Sequence, residues 1–215
     1  MSALSFWKKN IRDVPEEVWA LEGLDELVLA DNRLAQLPAS IGRLKELRTL
    51  DVGHNELVSV PEDLGELTGL TGFLYLHDNR LSELPASLGR LTRLRYLNLS
   101  QNEFDVWPEA VSGMTGLVEL RLDDNQLTAL SPSIARLSKL RELHLRNNRL
   151  GTLPDEIGQL HELRLLDLRA NPLARLPDSL LALPRLEKLD LRWISALNPP
   201  PWLAALEAKG CIVYR

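Results

Sequence analysis

The sequence predicts an α/β solenoid: a right-handed horseshoe with a parallel β-sheet on its concave face and short helical or 3₁₀ segments on its convex face. Three observations predict it. An asparagine recurs at a nearly fixed interval, aliphatic residues alternate with polar ones around each copy, and a short proline-bearing segment separates successive copies.

The asparagines are Asn32, Asn55, Asn79, Asn102, Asn125, Asn148 and Asn171, spaced by 23, 24, 23, 23, 23 and 23 residues. Five places before them stand Leu27, Leu50, Leu74, Leu97, Leu120, Leu143 and Leu166. Three before stand Leu29, Val52, Leu76, Leu99, Leu122, Leu145 and Leu168. Two after stand Leu34, Leu57, Leu81, Phe104, Leu127, Leu150 and Leu173. Such alternation describes a short strand with one buried and one wet face. A parallel sheet covered on both faces would read as continuous apolar runs; here polar residues intervene, as in Val118-Glu119-Leu120-Arg121-Leu122-Asp123.

The return segment is too short for a long crossover helix and reads Leu-Pro-x-x-aliphatic, as in Leu37-Pro38-Ala39-Ser40-Ile41-Gly42. Proline suits the first turn of a short helix, where its missing N–H would have no partner, and it recurs as Pro15, Pro61, Pro85, Pro108, Pro154, Pro177 and Pro200. No unit can bury its leucines alone, so the units stack into one core. Nine strands about 4.8 Å apart give an inner arc of roughly 40 Å. The asparagines are expected to form a buried ladder, each amide bonding backbone groups of its own and the neighbouring turn, which is a structural role.

The copy Leu24-Asp25-Glu26-Leu27-Val28-Leu29-Ala30-Asp31-Asn32-Arg33-Leu34 resembles the LxxLxLxxNxL pattern of leucine-rich-repeat proteins, and the resemblance covers nearly the whole chain. Its 23-residue Leu-Pro-x-x-Ile-Gly-x-Leu style resembles the intracellular Ras-group type. The ending, Leu189-Asp190-Leu191-Arg192-Trp193 with Trp202 and Gly210-Cys211-Ile212-Val213-Tyr214, is similar to that of stand-alone bacterial repeat proteins. The resemblance implies partner binding on the concave face, but no particular partner.

A single domain is expected over 1–215, with a degenerate N-terminal cap at 1–22, seven regular repeats at 23–185, and a degenerate last repeat with a C-terminal cap at 186–215. In the first unit Lys9 stands where asparagine belongs; in the last, Ile194 does. Pro200 to Gly210 reads as a short helix closed by glycine, and Cys211 to Tyr214 as a closing strand. Such atypical ends shield a solenoid, so the chain reads as complete. One unit carries an extra residue: Leu70 lies nine rather than eight places before Asn79. Thr71-Gly72 is either a bulge at the strand entrance, which glycine would permit, or an insertion without consequence. Ser131 takes a proline's place, with Pro132 following.

The net charge of −5 disfavours a nucleic-acid partner, and no polybasic run suits an anionic membrane. There is no run of about 20 apolar residues and no signal-peptide core. The one cysteine, Cys211, cannot form an internal disulfide, and a cytoplasmic location follows as the simplest expectation.

Residues four and two places before each asparagine face the hollow. The first column reads Ser5, Val28, Asp51, Tyr75, Asn98, Arg121, His144, Asp167 and Asp190. The second reads Trp7, Ala30, Gly53, His77, Ser100, Asp123, Arg146, Arg169 and Arg192. Phe73 and Tyr96 lie six before. Phe73, Tyr75 and Tyr96, beside His77, hold three of the six Phe and Tyr residues, a grouping that fits a binding hot spot or the strand preference of aromatics. Arg146, Arg169 and Arg192 beside Asp167 and Asp190 fit either an acidic-partner contact or a lattice of exposed, self-neutralising ion pairs. The partner-binding candidates are therefore Phe73, Tyr75, His77, Tyr96, Asn98, Arg121, His144, Arg146 and Arg169.

Chemistry is not expected. His54, His77, His144 and His161 lie in different units; His77 and Asp51 can approach, but two groups make no metal site. Cys211 reads as a packed thiol. The glycines at 42, 65, 89 and 158 are repeat positions rather than a phosphate loop. No cofactor, metal or catalytic residue is expected. The expected function is a non-catalytic protein- or peptide-binding scaffold, expected to be a monomer, with a weak homo-oligomer as the other state. The alternatives are a structural, self-assembling or engineered scaffold, and a regulatory subunit of a separate enzyme.

Overall fold

A computed structural model describes residues 2–215. Ten parallel strands form one sheet in sequence order: β1 (Ser2–Ser5), β2 (Leu24–Val28), β3 (Thr49–Asp51), β4 (Phe73–Tyr75), β5 (Tyr96–Asn98), β6 (Glu119–Arg121), β7 (Glu142–His144), β8 (Leu165–Asp167), β9 (Lys188–Asp190) and β10 (Ile212–Tyr214). Eight five-residue 3₁₀ segments line the convex side, and one helix, α1 (Leu203–Ala208), precedes β10. The expected fold class is the observed one.

The strand register keeps matching residues adjacent. Ser5 pairs with Val28, Val28 with Asp51, Asp51 with Tyr75, and so on through Asn98, Arg121, His144, Asp167 and Asp190 to Tyr214. The leucines at the inward positions, Leu50, Leu74, Leu97, Leu120, Leu143 and Leu166 among them, are wholly buried and belong to one continuous core. Each such burial contributes about 1.5–3 kcal/mol.

The asparagine ladder forms as expected. Asn125 is typical: its Nδ2 donates to the carbonyls of Leu99, Leu122 and Asp123 (3.0, 3.2 and 3.2 Å), and its Oδ1 accepts from Phe104 N–H at 3.1 Å. Asn79, Asn102, Asn125, Asn148 and Asn171 are buried. Asn32 and Asn55 are only half-buried.

Three local expectations are corrected. The prolines stand just before the 3₁₀ turns, not within their first turn: Pro38 is extended (φ −77°, ψ 157°), and its carbonyl accepts from Ile41 N–H at 3.1 Å. Its ring-locked φ suits the end of the preceding extended segment. Only Pro132 enters the turn, and there Ser131 supplies the cap, its hydroxyl accepting from Ser133 N–H at 3.2 Å. Second, Thr71-Gly72 is no bulge in the ladder. Phe73 pairs with Thr49 and with Tyr96 in unbroken register, so the extra residue is absorbed ahead of the strand. Third, Gly72 has no left-handed backbone for glycine to permit; a Cβ there would make a tight contact, 3.0 Å from Arg48 O.

One backbone feature lies outside the leucine and asparagine pattern. The residue before each asparagine is left-handed: Asp31, His54, Asp78, Gln101, Asp124, Asn147 and Ala170 have φ between 51° and 57°, and Trp193, before Ile194, has 63°. Aspartate, asparagine and histidine tolerate this region best. Ala170 does not, at a cost of about 1–2 kcal/mol. At the C-terminus α1 closes through Gly210 (φ 95°), with Cys211 N–H on Leu206 O at 3.1 Å.

Ala170→Asn, which copies Asn147 one repeat earlier, is expected to stabilise the chain by about 0.5–1 kcal/mol. Urea unfolding checks this; an unchanged or lower midpoint would show that the turn carries no such strain.

Candidate functional site

Strand alternation puts the two predicted columns on the concave face, and the register brings the aromatics of β4 and β5 together. Phe73 and Tyr75, two apart on one strand, stack at 6.0 Å with their rings 8° from parallel. Tyr96 reaches both across the strand gap, 5.4 Å from Phe73 and 5.1 Å from Tyr75. His77 extends the cluster, 6.0 Å from Tyr75 and 4.8 Å from His54. The His77 ring lies flat over Gly53, where a Cβ would come within 2.3 Å of it, so the glycine in that column makes room for the imidazole. His77 Nδ1 is buried without a hydrogen-bond partner among the described residues. Burial, reinforced by His54, holds the His77 pKa below its usual value.

Phe73 is exposed and both tyrosines are half-buried. Burial raises the pKa of Tyr75 and pushes that of Tyr96 up to about 12. The phenols therefore stay neutral over the physiological range.

The remaining candidates belong to a polar network on β5–β9. Asn98 Oδ1 accepts from Ser100 N–H at 3.0 Å. Arg121 Nε donates to Glu119 Oε1 at 2.6 Å, and Arg146 Nη2 to Asp124 Oδ2 at 2.6 Å. Arg169 grips Asp167 through Nε and Nη2 (2.9–3.0 and 2.5 Å) and lies 3.6 Å from Asp190, which Arg192 also holds at 2.7 Å. The lattice expected here is present, with one correction: its carboxylates are not exposed. Asp167 is 4% and Asp190 1% exposed, because the planar guanidinium groups lie across them. Burial alone would raise Asp190, but the bonds from Arg192 and the charge of Arg169 outweigh it and hold the carboxyl below its usual range.

At His144, one of the expected partner-binding residues, two pairs of carboxylates converge. Its side chain is 12% exposed and its Nε2 lies 3.3 Å from Glu142 Oε2 and 3.8 Å from Glu119 Oε1. Glu119-Glu142-His144 and Asp123-His144-Asp167 are each close enough to hold a metal ion. In each group an arginine bonds one of the carboxylates, Arg121 that of Glu119 and Arg169 that of Asp167. Asp51 acts on His77 through its charge, as their expected approach implies, while its Oδ1 accepts from Gly53 N–H at 2.9 Å.

The leucine rich repeat family signature matches residues 22–81, 73–127, 115–173 and 138–193. The chain belongs to the leucine rich repeat family. No curated protein matches it. Among solved structures it is similar to a leucine-rich-repeat protein of Leptospira interrogans, with 32% identity, a TM-score of 0.90 and 95% of this chain covered. The chain spans 51% of that protein's length. It is also similar to the ectodomain of the Arabidopsis thaliana membrane receptor kinase GASSHO1 in complex with Casparian strip integrity factor 2 (34% identity, TM-score 0.73, 86% of this chain and 23% of that one). A third likeness is to the plant peptide hormone receptor RGFR1 in complex with RGF2 (25% identity, TM-score 0.65, 94% and 41%).

Elsewhere on this leucine-rich-repeat chain, Cys211 is buried and its thiol pKa is pushed up by that burial, which fits a packed side chain. Among the described residues no helix is long and apolar enough to cross a membrane.

At about pH 11, above the ordinary tyrosine value and below that of Tyr96, the folded chain should keep Tyr96 protonated. Tyr96→Phe should then leave the ultraviolet phenolate band of the folded protein unchanged and lower that of the urea-unfolded chain. A loss of one tyrosine's absorbance from the folded state would mean that Tyr96 is open to water.

Proposed function

We propose that this chain is a non-catalytic protein- or peptide-binding scaffold working through its concave face, with Phe73, Tyr75 and Tyr96 as the anchoring cluster. One observation carries the reading. Toward the C-terminal half, the arginines and carboxylates of the face are consumed by one another, whereas the aromatic cluster, exposed at Phe73 and half-buried at Tyr75 and Tyr96, is bonded to no charged group among the described residues. Clustered, partly desolvated aromatics carry much of the energy at protein interfaces, and such a patch stays uncovered for a reason. The complexes of GASSHO1 and of RGFR1 support a binding role for a repeat face of this kind. Asn98, Arg121, His144, Arg146 and Arg169 would form the polar margin, and the lone buried thiol fits a reducing cytoplasm.

Tyr75→Ala combined with Tyr96→Ala removes only concave-face contacts and should leave the melting transition nearly in place, since such ring pairs are worth about 0.5–1.5 kcal/mol each. Capture of partners from host lysate should be largely lost. Recovery of the same partners by wild type and double variant would overturn the assignment.

A further inference from the structure

Beside the concave face, along the edge where the strands begin, runs a groove of about 700 Å³. Its floor is Gly116 and Val118; Arg93 and Arg95 of the preceding repeat form one wall, Lys139 and Arg141 of the following repeat the other. The floor is low for a local reason. Gly116 packs against the preceding repeat so closely that a Cβ would meet Thr92 O at 2.4 Å, and Val118 occupies a column where most other repeats carry a charged residue. The two walls lie two strands apart, roughly 10 Å in backbone terms, a gap that long arginine and lysine side chains close around an anionic chain.

All four cations are exposed, and among the described residues none has a carboxylate partner. That sets Arg95 and Arg141 apart from the arginines at the matching place in other repeats, Arg48 and Arg164. Arg48 pairs with Asp25 (3.5 Å), Arg80 with Glu56 (3.6 Å), Arg90 with Glu66 (2.5 Å) and Arg164 with Glu187 (3.0 Å). Glu162, at the groove's rim, is taken by Arg185. In a chain of net charge −5, four unneutralised cations around one groove are not a surplus spilling over the surface.

The groove is continuous with the aromatic cluster. A second hollow of about 320 Å³, lined by Gly72, Phe73, Tyr96 and Glu119, shares Arg95 and Val118 with the first. We infer that the groove takes an acidic peptide segment of the same partner whose apolar anchor sits on Phe73, Tyr75 and Tyr96, the chain passing over Arg95 and its carboxylates resting between Arg95 and Arg141. The inference rests on the concave-face reading. A peptide fits better than a nucleic acid because the basic stretch is short, four cations around one groove, whereas a continuous polyanion calls for a longer basic run.

Three dye-labelled probes test it by fluorescence anisotropy at low and high salt: a Glu/Asp-rich peptide carrying a Phe-Tyr pair, the same peptide with amides replacing its carboxylates, and a single-stranded oligonucleotide of equal charge. The acidic probe should bind the wild-type chain and weaken by about tenfold in Arg95→Gln/Arg141→Gln, with a loss of similar size as salt rises. That variant should melt like wild type and hold the amide probe as well as wild type does. Equal binding of the acidic probe by wild type and arginine variant, or no binding at all, overturns the inference. If binding is equal and Tyr75→Ala/Tyr96→Ala abolishes it, the concave-face reading survives alone; if the probe binds equally to that variant too, or to none of the proteins, both fall. Tighter, arginine-dependent binding of the oligonucleotide would overturn the peptide assignment.

Discussion

The carboxamide of the repeating asparagine fixes the spacing of everything else. A three-residue strand followed, three places on, by a left-handed residue leaves carbonyls and an N–H facing inward, away from water, in every turn. An unsatisfied buried group of that kind costs about 1–3 kcal/mol. The asparagine satisfies them in two repeats at once. Nδ2 of Asn102 donates to Leu99 O and Ser100 O of its own turn and to Leu76 O of the turn before, while Oδ1 accepts from Leu81 N–H of the turn before. One side chain thus sets the offset between neighbouring repeats, and with it the columns in which leucines meet leucines and Tyr75 meets Asn98.

Two halves of the concave face follow from that common register and differ in chemistry. On β4 and β5 the columns hold rings that stack on one another without a charged partner. On β6 to β9 the same columns hold opposite charges at neighbouring places, and these close over each other: Arg169 on Asp167, Arg192 on Asp190. A charge already bonded bidentately to a buried carboxylate has little left to offer a partner, whereas apolar ring surface held in water gains from being covered. Trp193 marks the far end of the network, its exposed ring lying under both Arg169 and Arg192 at 5.7 Å.

The fold was legible because period and alternation are global properties, repeated often enough to outweigh local departures such as the residue inserted before Asn79. Features set by single contacts were harder to read. The left-handed residue before each asparagine was signalled by Asp31, His54, Asp78, Asp124 and Asn147, residue types that tolerate it, but Gln101, Ala170 and Trp193 blur the column. The burial of Asp167 and Asp190 depends on where the arginine side chains lie down, which alternation does not state. The aromatic cluster could be named from its columns. The basic groove could not, because Arg95 and Arg141 lie outside the alternating strand core, and their lack of partners depends on the small Gly116 and Val118 between them.

Amide hydrogen exchange in an Asn125→Ala variant tests the asparagine's role most directly, at the Phe104 N–H that Asn125 Oδ1 accepts. With that side chain supplying the link between turns, Phe104 should pass from among the slowest amides to fast local exchange, and the chain should lose about 2–4 kcal/mol of stability. If Phe104 stays as protected as in the wild type and the unfolding midpoint does not move, the ladder is not what holds the repeats in register.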